Sequence, residues 1–82
     1  MTTGSSFPLS MAEEGSRVRV VALLGGAGLD KRLTEMGLNP GSELNVRQRR
    51  GGGMVVSRGE TRLGLGFGMA HKILVVSLDG ES

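Results

Sequence analysis

Glycine placement sets the first limit on what this chain can fold into. Its 82 residues include 15 glycines, which leave only short stretches between breaks. Such punctuation excludes a long helix and suits short strands joined by tight turns. Between the breaks the apolar residues recur mostly at two-residue spacing, the signature of half-buried strands. Arg17-Val-Arg-Val opens a strand expected over 16–24, with Val18, Val20 and Ala22 inward and Arg17, Arg19, Val21 and Leu23 outward. Glu43–Arg47 alternates with Leu44 and Val46 inward and Glu43, Asn45, Arg47 and Arg49 outward. Met54–Ser57 forms a short strand, Arg58-Gly-Glu60 turns the chain, and Thr61–Phe67 alternates again through Leu63, Leu65 and Phe67. Gly68–Lys72 fits a single tight helical turn, and Ile73–Ser77 reads as the last strand.

One segment breaks the period of two. Leu29, Leu33 and Met36 recur at helical spacing, with Lys31, Arg32 and Glu35 on the polar side, which predicts a two-turn helix over 29–36. Gly37 sits where a left-handed terminating residue belongs, with Leu38 closing back on Leu33 or Thr34. Asn39-Pro-Gly41 then turns the chain. Ser10–Gly15 reads as one further helical turn with Ser10 as its cap. The expected architecture is mainly β: a small curled barrel of about five strands, with one short α-helix between the first two. Residues 1–8 are expected to be a flexible tail, 9–78 the domain, and 79–82 a second tail.

Composition narrows the function. The chain lacks cysteine, tryptophan and tyrosine and has two phenylalanines, Phe7 and Phe67. No disulfide framework or thiolate nucleophile is available. The stacking platform that single-stranded nucleic acids use is missing, which disfavours nucleic acid as a partner. All ten basic residues lie between Arg17 and Lys72, whereas four of the eight acids lie near the ends, so residues 16–78 carry a net charge of +6. A basic body of this kind suits an acidic partner. The longest apolar run, Val20–Leu24, is far below the roughly 20 residues needed to cross a bilayer, and no signal-peptide pattern opens the chain, so a cytoplasmic location without membrane insertion is expected.

Chemistry-bearing patterns are sparse. Gly25-Gly-Ala-Gly28 between a strand and a helix has the context of a phosphate loop, but Lys31 occupies the third glycine position of the dinucleotide pattern. Asp30 and Lys31 likewise stand where a Walker motif needs Gly-Lys. His71 is the sole histidine and supplies one metal-ligating nitrogen, enough for iron or zinc only at a peripheral or bridging site. With no nucleophile–base pair and no carboxylate pair, no catalytic residue is assigned and no cofactor is required. Leu63-Gly-Leu-Gly-Phe-Gly-Met69 is either a strand stripped for close approach to its backbone or a tight barrel corner. Its apolar edge is also a candidate for weak self-association.

The run Leu29-Asp-Lys-Arg-Leu-Thr-Glu-Met-Gly-Leu-Asn-Pro-Gly-Ser-Glu-Leu-Asn-Val46 resembles the ferrous iron transport protein A (FeoA) family, whose pattern is a short helix reading R-L-x-x-M/L-G-L/M-x-P-G followed by a strand. Arg32, Leu33, Met36, Gly37, Leu38, Pro40 and Gly41 match it position by position. Leu9–Val20 and Leu63–Val75 resemble the family's opening and closing segments. The resemblance implies an SH3-like barrel that serves bacterial ferrous iron uptake in the cytoplasm without chemistry of its own. It would bind the cytosolic GTPase part of the FeoB membrane transporter. Candidate recognition residues are then Lys31, Arg32 and Glu35 on the helix and Gly64, Gly66, Phe67 and Met69 at the apolar edge. Two departures stand out: Arg50-Gly-Gly-Gly53 replaces a longer, Pro-containing hairpin, and Gly66-Phe-Gly-Met69 replaces charged residues. The alternatives are a nucleic-acid-binding barrel and a free-standing relative of the SH3-like module of metal-dependent repressors.

Overall fold

The computed structural model describes residues 5–78. The chain runs through β1 (Phe7–Pro8), a 3-10 turn (Leu9–Met11), β2 (Arg17–Leu23) and α1 (Gly26–Glu35). It continues with β3 (Glu43–Arg50), β4 (Gly53–Arg58), β5 (Thr61–Gly66), the single-turn helix α2 (Phe67–Ala70) and β6 (Ile73–Ser77). All strand pairs are antiparallel, in the order β1-β6-β2-β3-β4-β5. Alternation along each strand sends Val18, Val20, Leu44, Val46, Met54, Val56, Leu65, Ile73 and Val75 into one apolar core, joined by Leu9, Leu33 and Leu38. The sheet curls around these side chains, because a domain of this size has only one small core to close over.

One mouth of the barrel is closed by contacts other than strand pairing. The 3-10 turn packs on α2 and β6, and the Arg49 side chain reaches across the gap. Its guanidinium donates to the Ser10 carbonyl at 2.7 Å and lies 5.5 Å from the centre of the Phe67 ring. The Arg49 amide donates to Glu14 Oε2 at 2.7 Å. One arginine therefore ties β3 to the N-terminal segment and to α2 through charge-assisted hydrogen bonds and a cation–π contact.

Helix α1 ends as its sequence dictates. Gly37 has φ +85°, the Leu38 amide donates to the Leu33 carbonyl at 2.8 Å, and the Gly37 amide donates to the Thr34 carbonyl at 2.9 Å. This is the Schellman arrangement, and Leu33 and Leu38 are both fully buried beneath it. The Arg58 guanidinium lies over this end, where a cation meets the negative end of the helix dipole. The β4–β5 hairpin turns on Gly59 at φ +62°, the position and sign that a type II′ turn requires.

Several expectations shift. Six strands form rather than about five, because Phe7 and Pro8 pair with Val75 and Leu74. The ladder thus begins within the segment expected as tail, two residues before Leu9; residues 1–4 and 79–82 lie outside the described residues. Helix α1 starts at Gly26, three residues early, since this extra turn carries Leu29 back over Gly25, whose missing Cβ leaves room for it. Ser10 caps nothing: it lies inside the 3-10 turn, preceded by Pro8, and its hydroxyl faces His71.

Two bulges alter which side chains share a face. The β2–β6 register shifts between Val20 and Ala22, so Leu23, expected outward, packs against the core, while Val21 stays 41% exposed. The β3–β4 register shifts between Val46 and Gln48, making Arg47 the extra residue. Beyond it Gln48 opposes Val55 and Arg50 opposes Gly53, while Arg49 turns toward the closed end. An inserted residue reverses the alternation downstream of it, so a strict period of two misplaces Arg49.

Candidate protein-binding surface

The expected recognition residues fall on two separate elements. Lys31, Arg32 and Glu35 are exposed along α1, the side opposite buried Leu33. Gly64 and Gly66 are exposed on β5. Phe67 and Met69 follow in α2 but pack partly against the core, and Phe67 also carries Arg49 over its ring. The glycines thus face solvent while the two large apolar side chains are largely spent on closing the barrel.

His71 is exposed, and its Nδ1 lies 3.4 Å from Ser10 Oγ. Among the described residues no group of three histidine, cysteine or carboxylate side chains is arranged to hold a metal ion. His71 therefore contributes a single nitrogen with a hydroxyl beside it.

Three arginines of the basic 47–62 stretch share one face. On the outer side of β3–β4–β5, Arg62 lies directly across from Ser57. Arg47, from the bulge on the other flank of Ser57, donates its Nε proton to Ser57 Oγ at 3.1 Å. Farther along, Arg50, Gly53 and Gly66 lie in one row across the three strands, and Gln48, Val55 and Gly64 form the row between. A shallow depression of about 250 Å³ lies over these two rows, with Met54 and Leu65 also on its wall. Arg17 and Arg19, by contrast, pair with Glu43 at 3.5 and 3.2 Å. Neither Arg50 nor Arg62 has a carboxylate partner among the described residues. Charge in the 47–62 segment was visible in the sequence; which arginines share a face depended on the bulge at Arg47.

A second depression, of about 460 Å³, is bordered by Phe7, Met11, Glu13, Glu14, Val18 and Ser77 at the opposite end of the sheet. Neither histidine nor cysteine borders it. No described helix is long and apolar enough to cross a membrane.

A small, mainly β, SH3-like barrel with cationic exposed faces defines the structural class. The FeoA domain family matches residues 7–77, almost the whole described chain, and the protein belongs to that family. A Methanocaldococcus jannaschii protein described as "Putative Fe(2+) transport protein A" is 38% identical over 69 residues, covering 84% of each chain. A crystal structure of an iron uptake regulatory protein (FeoA) superposes with a TM-score of 0.84 at 33% identity, over 90% of this chain and 100% of that one. A manganese-dependent transcriptional repressor contains the same fold, with a TM-score of 0.83 at 25% identity, over 95% of this chain but 45% of the repressor. The family motif at Arg32–Gly41 builds the helix end and the turn after it, so the family's most legible residues are largely architectural.

Proposed function

We propose that this chain is a non-enzymatic, cytoplasmic accessory protein of ferrous iron uptake that binds the cytosolic GTPase part of a FeoB-type membrane transporter. The observation that carries this reading is the FeoA match across residues 7–77. The cationic outer surface and the lack of an assembled catalytic group among the described residues agree with it. Iron in this reading is the transporter's cargo, and the chain itself needs no resident cofactor. His71 enters only where a second molecule completes a site around its one nitrogen. Lys31, Arg32 and Glu35 supply a charged helix face for recognition. Titration of the purified protein against the transporter's cytosolic domain, and against the intact transporter in detergent or nanodiscs, tests the proposal. Saturable binding to either supports it; no binding to either at high micromolar concentration overturns it.

A second reading takes the chain as a free-standing partner of a metal-dependent repressor. It is favoured by one observation, the likeness to a domain that makes up under half of a manganese-dependent repressor. It predicts binding to a repressor or its operator complex and none to the transporter.

A further inference from the structure

We infer that the free edge of β5 takes up an extended, acidic segment of a partner protein as an added antiparallel strand, with Arg62, Arg50 and Arg47 receiving its carboxylates. The inference deepens the adaptor reading and rests on it for the partner's place in iron uptake, but its own test does not require the transporter.

The sheet has two edges. One is β1, two residues long and ending in Pro8, which offers little to pair with. The other is β5, six residues with no proline. The Phe67 amide donates to the Gly52 carbonyl at 2.9 Å, which sets the phase of the β4–β5 ladder. In antiparallel pairs the bonded residues alternate. Phe67, Leu65, Leu63 and Thr61 therefore spend their backbone groups on β4, and Arg62, Gly64 and Gly66 direct theirs toward the open edge. Among the described residues none of the three makes a turn or loop hydrogen bond.

Glycine at 64 and 66 is not demanded by the fold. Neither has positive φ; a Cβ at Gly64 would meet nothing within 4 Å, and one at Gly66 only the Gly52 carbonyl at 3.9 Å. Gly53 differs, because a Cβ there would lie 2.5 Å from the Leu65 carbonyl oxygen. Glycine inside a strand costs stability, about 0.5–1 kcal/mol relative to alanine. Its effect here is a row, Arg50–Gly53–Gly66, with no side chain between Arg50 and the edge. With strands about 4.8 Å apart, Arg50 starts roughly 10 Å from β5, and the empty row lets its long arm lie across the sheet toward an incoming strand.

Charge selects the occupant. A second copy paired through β5 would join two faces that each carry Arg47, Arg50 and Arg62 with no paired carboxylate among the described residues, and like charges on one face oppose that pairing. Nucleic acid fits less well than peptide. The edge presents amide donors and carbonyl acceptors in alternation, which a peptide backbone satisfies on both counts and a phosphodiester backbone on one. The nearest aromatic ring, Phe67, already lies under Arg49. An extended segment with glutamate or aspartate at alternate positions satisfies both the edge and the arginines, by strand addition.

The probe is a labelled peptide, Thr-Glu-Val-Glu-Val-Glu-Thr, titrated into the full chain and followed by anisotropy and by amide chemical shifts. The expected result is saturable binding that weakens as salt rises, with shifts concentrated on Arg62, Gly64 and Gly66. A version with lysine for glutamate should bind at least tenfold more weakly. Gly64→Pro removes an outward amide that β4 does not use, so the ladder survives, checked by circular dichroism, and binding should fall at least tenfold. Arg50→Glu with Arg62→Glu leaves the ladder intact and should abolish binding, which keeps the test decisive if the proline variant unfolds. Peptide binding that ignores both variants overturns the inference, as do shifts centred away from β5, equal binding of a single-stranded oligonucleotide, or self-association through β5 that the peptide does not displace. Binding of the transporter's cytosolic domain is read separately. If wild type and Gly64→Pro bind that domain equally, the edge is not the surface and the adaptor reading stands. If the peptide binds but the domain does not, the edge stands and the adaptor reading fails.

Discussion

Replacing Gly37 with alanine tests how the family motif holds this barrel together. At φ +85° an L-residue meets the steric penalty of the left-handed region, about 1–2 kcal/mol. The added Cβ would also sit 3.1 Å from Cζ and Nη1 of Arg58 and 3.3 Å from its Nε. The arginine arm is flexible and moves aside, losing its place at the helix C-terminus, which is worth about 0.3–1 kcal/mol. Alanine restricts the unfolded chain more than glycine and returns about 0.5 kcal/mol. The net loss is about 1.5 kcal/mol, or roughly 6–12 °C in melting temperature for a domain of this length. Urea titration at constant slope and thermal unfolding both measure it. Gly37→Asn should lose less, because asparagine tolerates left-handed backbone. Repeating Gly37→Ala in an Arg58→Ala background should lower its cost by about 0.5 kcal/mol, the coupling expected of touching groups. A loss under about 0.5 kcal/mol for Gly37→Ala, or no difference between the two backgrounds, would refute the account of this helix end.

Four further outcomes follow from contacts described above. Leu33→Ala removes a fully buried side chain at the same helix end and should cost about 3 kcal/mol, read from the urea midpoint. Arg49→Ala should cost about 1–2 kcal/mol and speed amide exchange near Ser10 and Phe67, since two elements lose their tie to β3. Glu43→Gln should cost less than about 0.5 kcal/mol, because its pairs with Arg17 and Arg19 are about half exposed. Gly66→Thr should leave the fold at least as stable, by up to about 1 kcal/mol in thermal unfolding, while weakening peptide capture at the edge.

Local chemistry made much of the fold legible. Gly37 and Leu38 were readable as a helix end because a Schellman cap needs only a glycine and an apolar residue at fixed offsets, and both stand where expected. The inward residues Val18 and Val20 of β2, and Leu44 and Val46 of β3, followed from alternation alone. What alternation could not carry was the insertion of one residue at Val21 and another at Arg47, since a bulge leaves no compositional mark at these positions. Beyond each bulge the reading of faces reversed, placing Leu23 outside and Arg49 with Arg47. The early start of α1 was also hidden: Gly-Ala-Gly is a poor helix opening by propensity, and packing of Leu29 over Gly25 overrides it. Phe7 and Pro8 were unreadable as a strand because two residues have no period. The candidate site suffered most from the bulges, as Arg50 and Arg62 share a face only once Arg47 is taken out of register.

Once the bulges are placed, the basic residues of the sheet divide by task. Arg17 and Arg19 answer Glu43, Arg58 answers the helix dipole, and Arg49 closes the barrel. Arg47, Arg50 and Arg62 remain, on one face and beside β5, the longer of the two edge strands among the described residues. The two parts of that surface should control different steps of association. Exposed charge steers encounter, so neutralising Arg62 or Arg50 should slow the association rate with an acidic segment and flatten its salt dependence. The edge amides act only after contact, so Gly64→Pro should leave the association rate within about threefold and raise the dissociation rate. Stopped-flow mixing separates the two. If the proline variant instead slows encounter while the arginine variants speed dissociation, strand addition is the wrong geometry and the arginines themselves hold the bound segment.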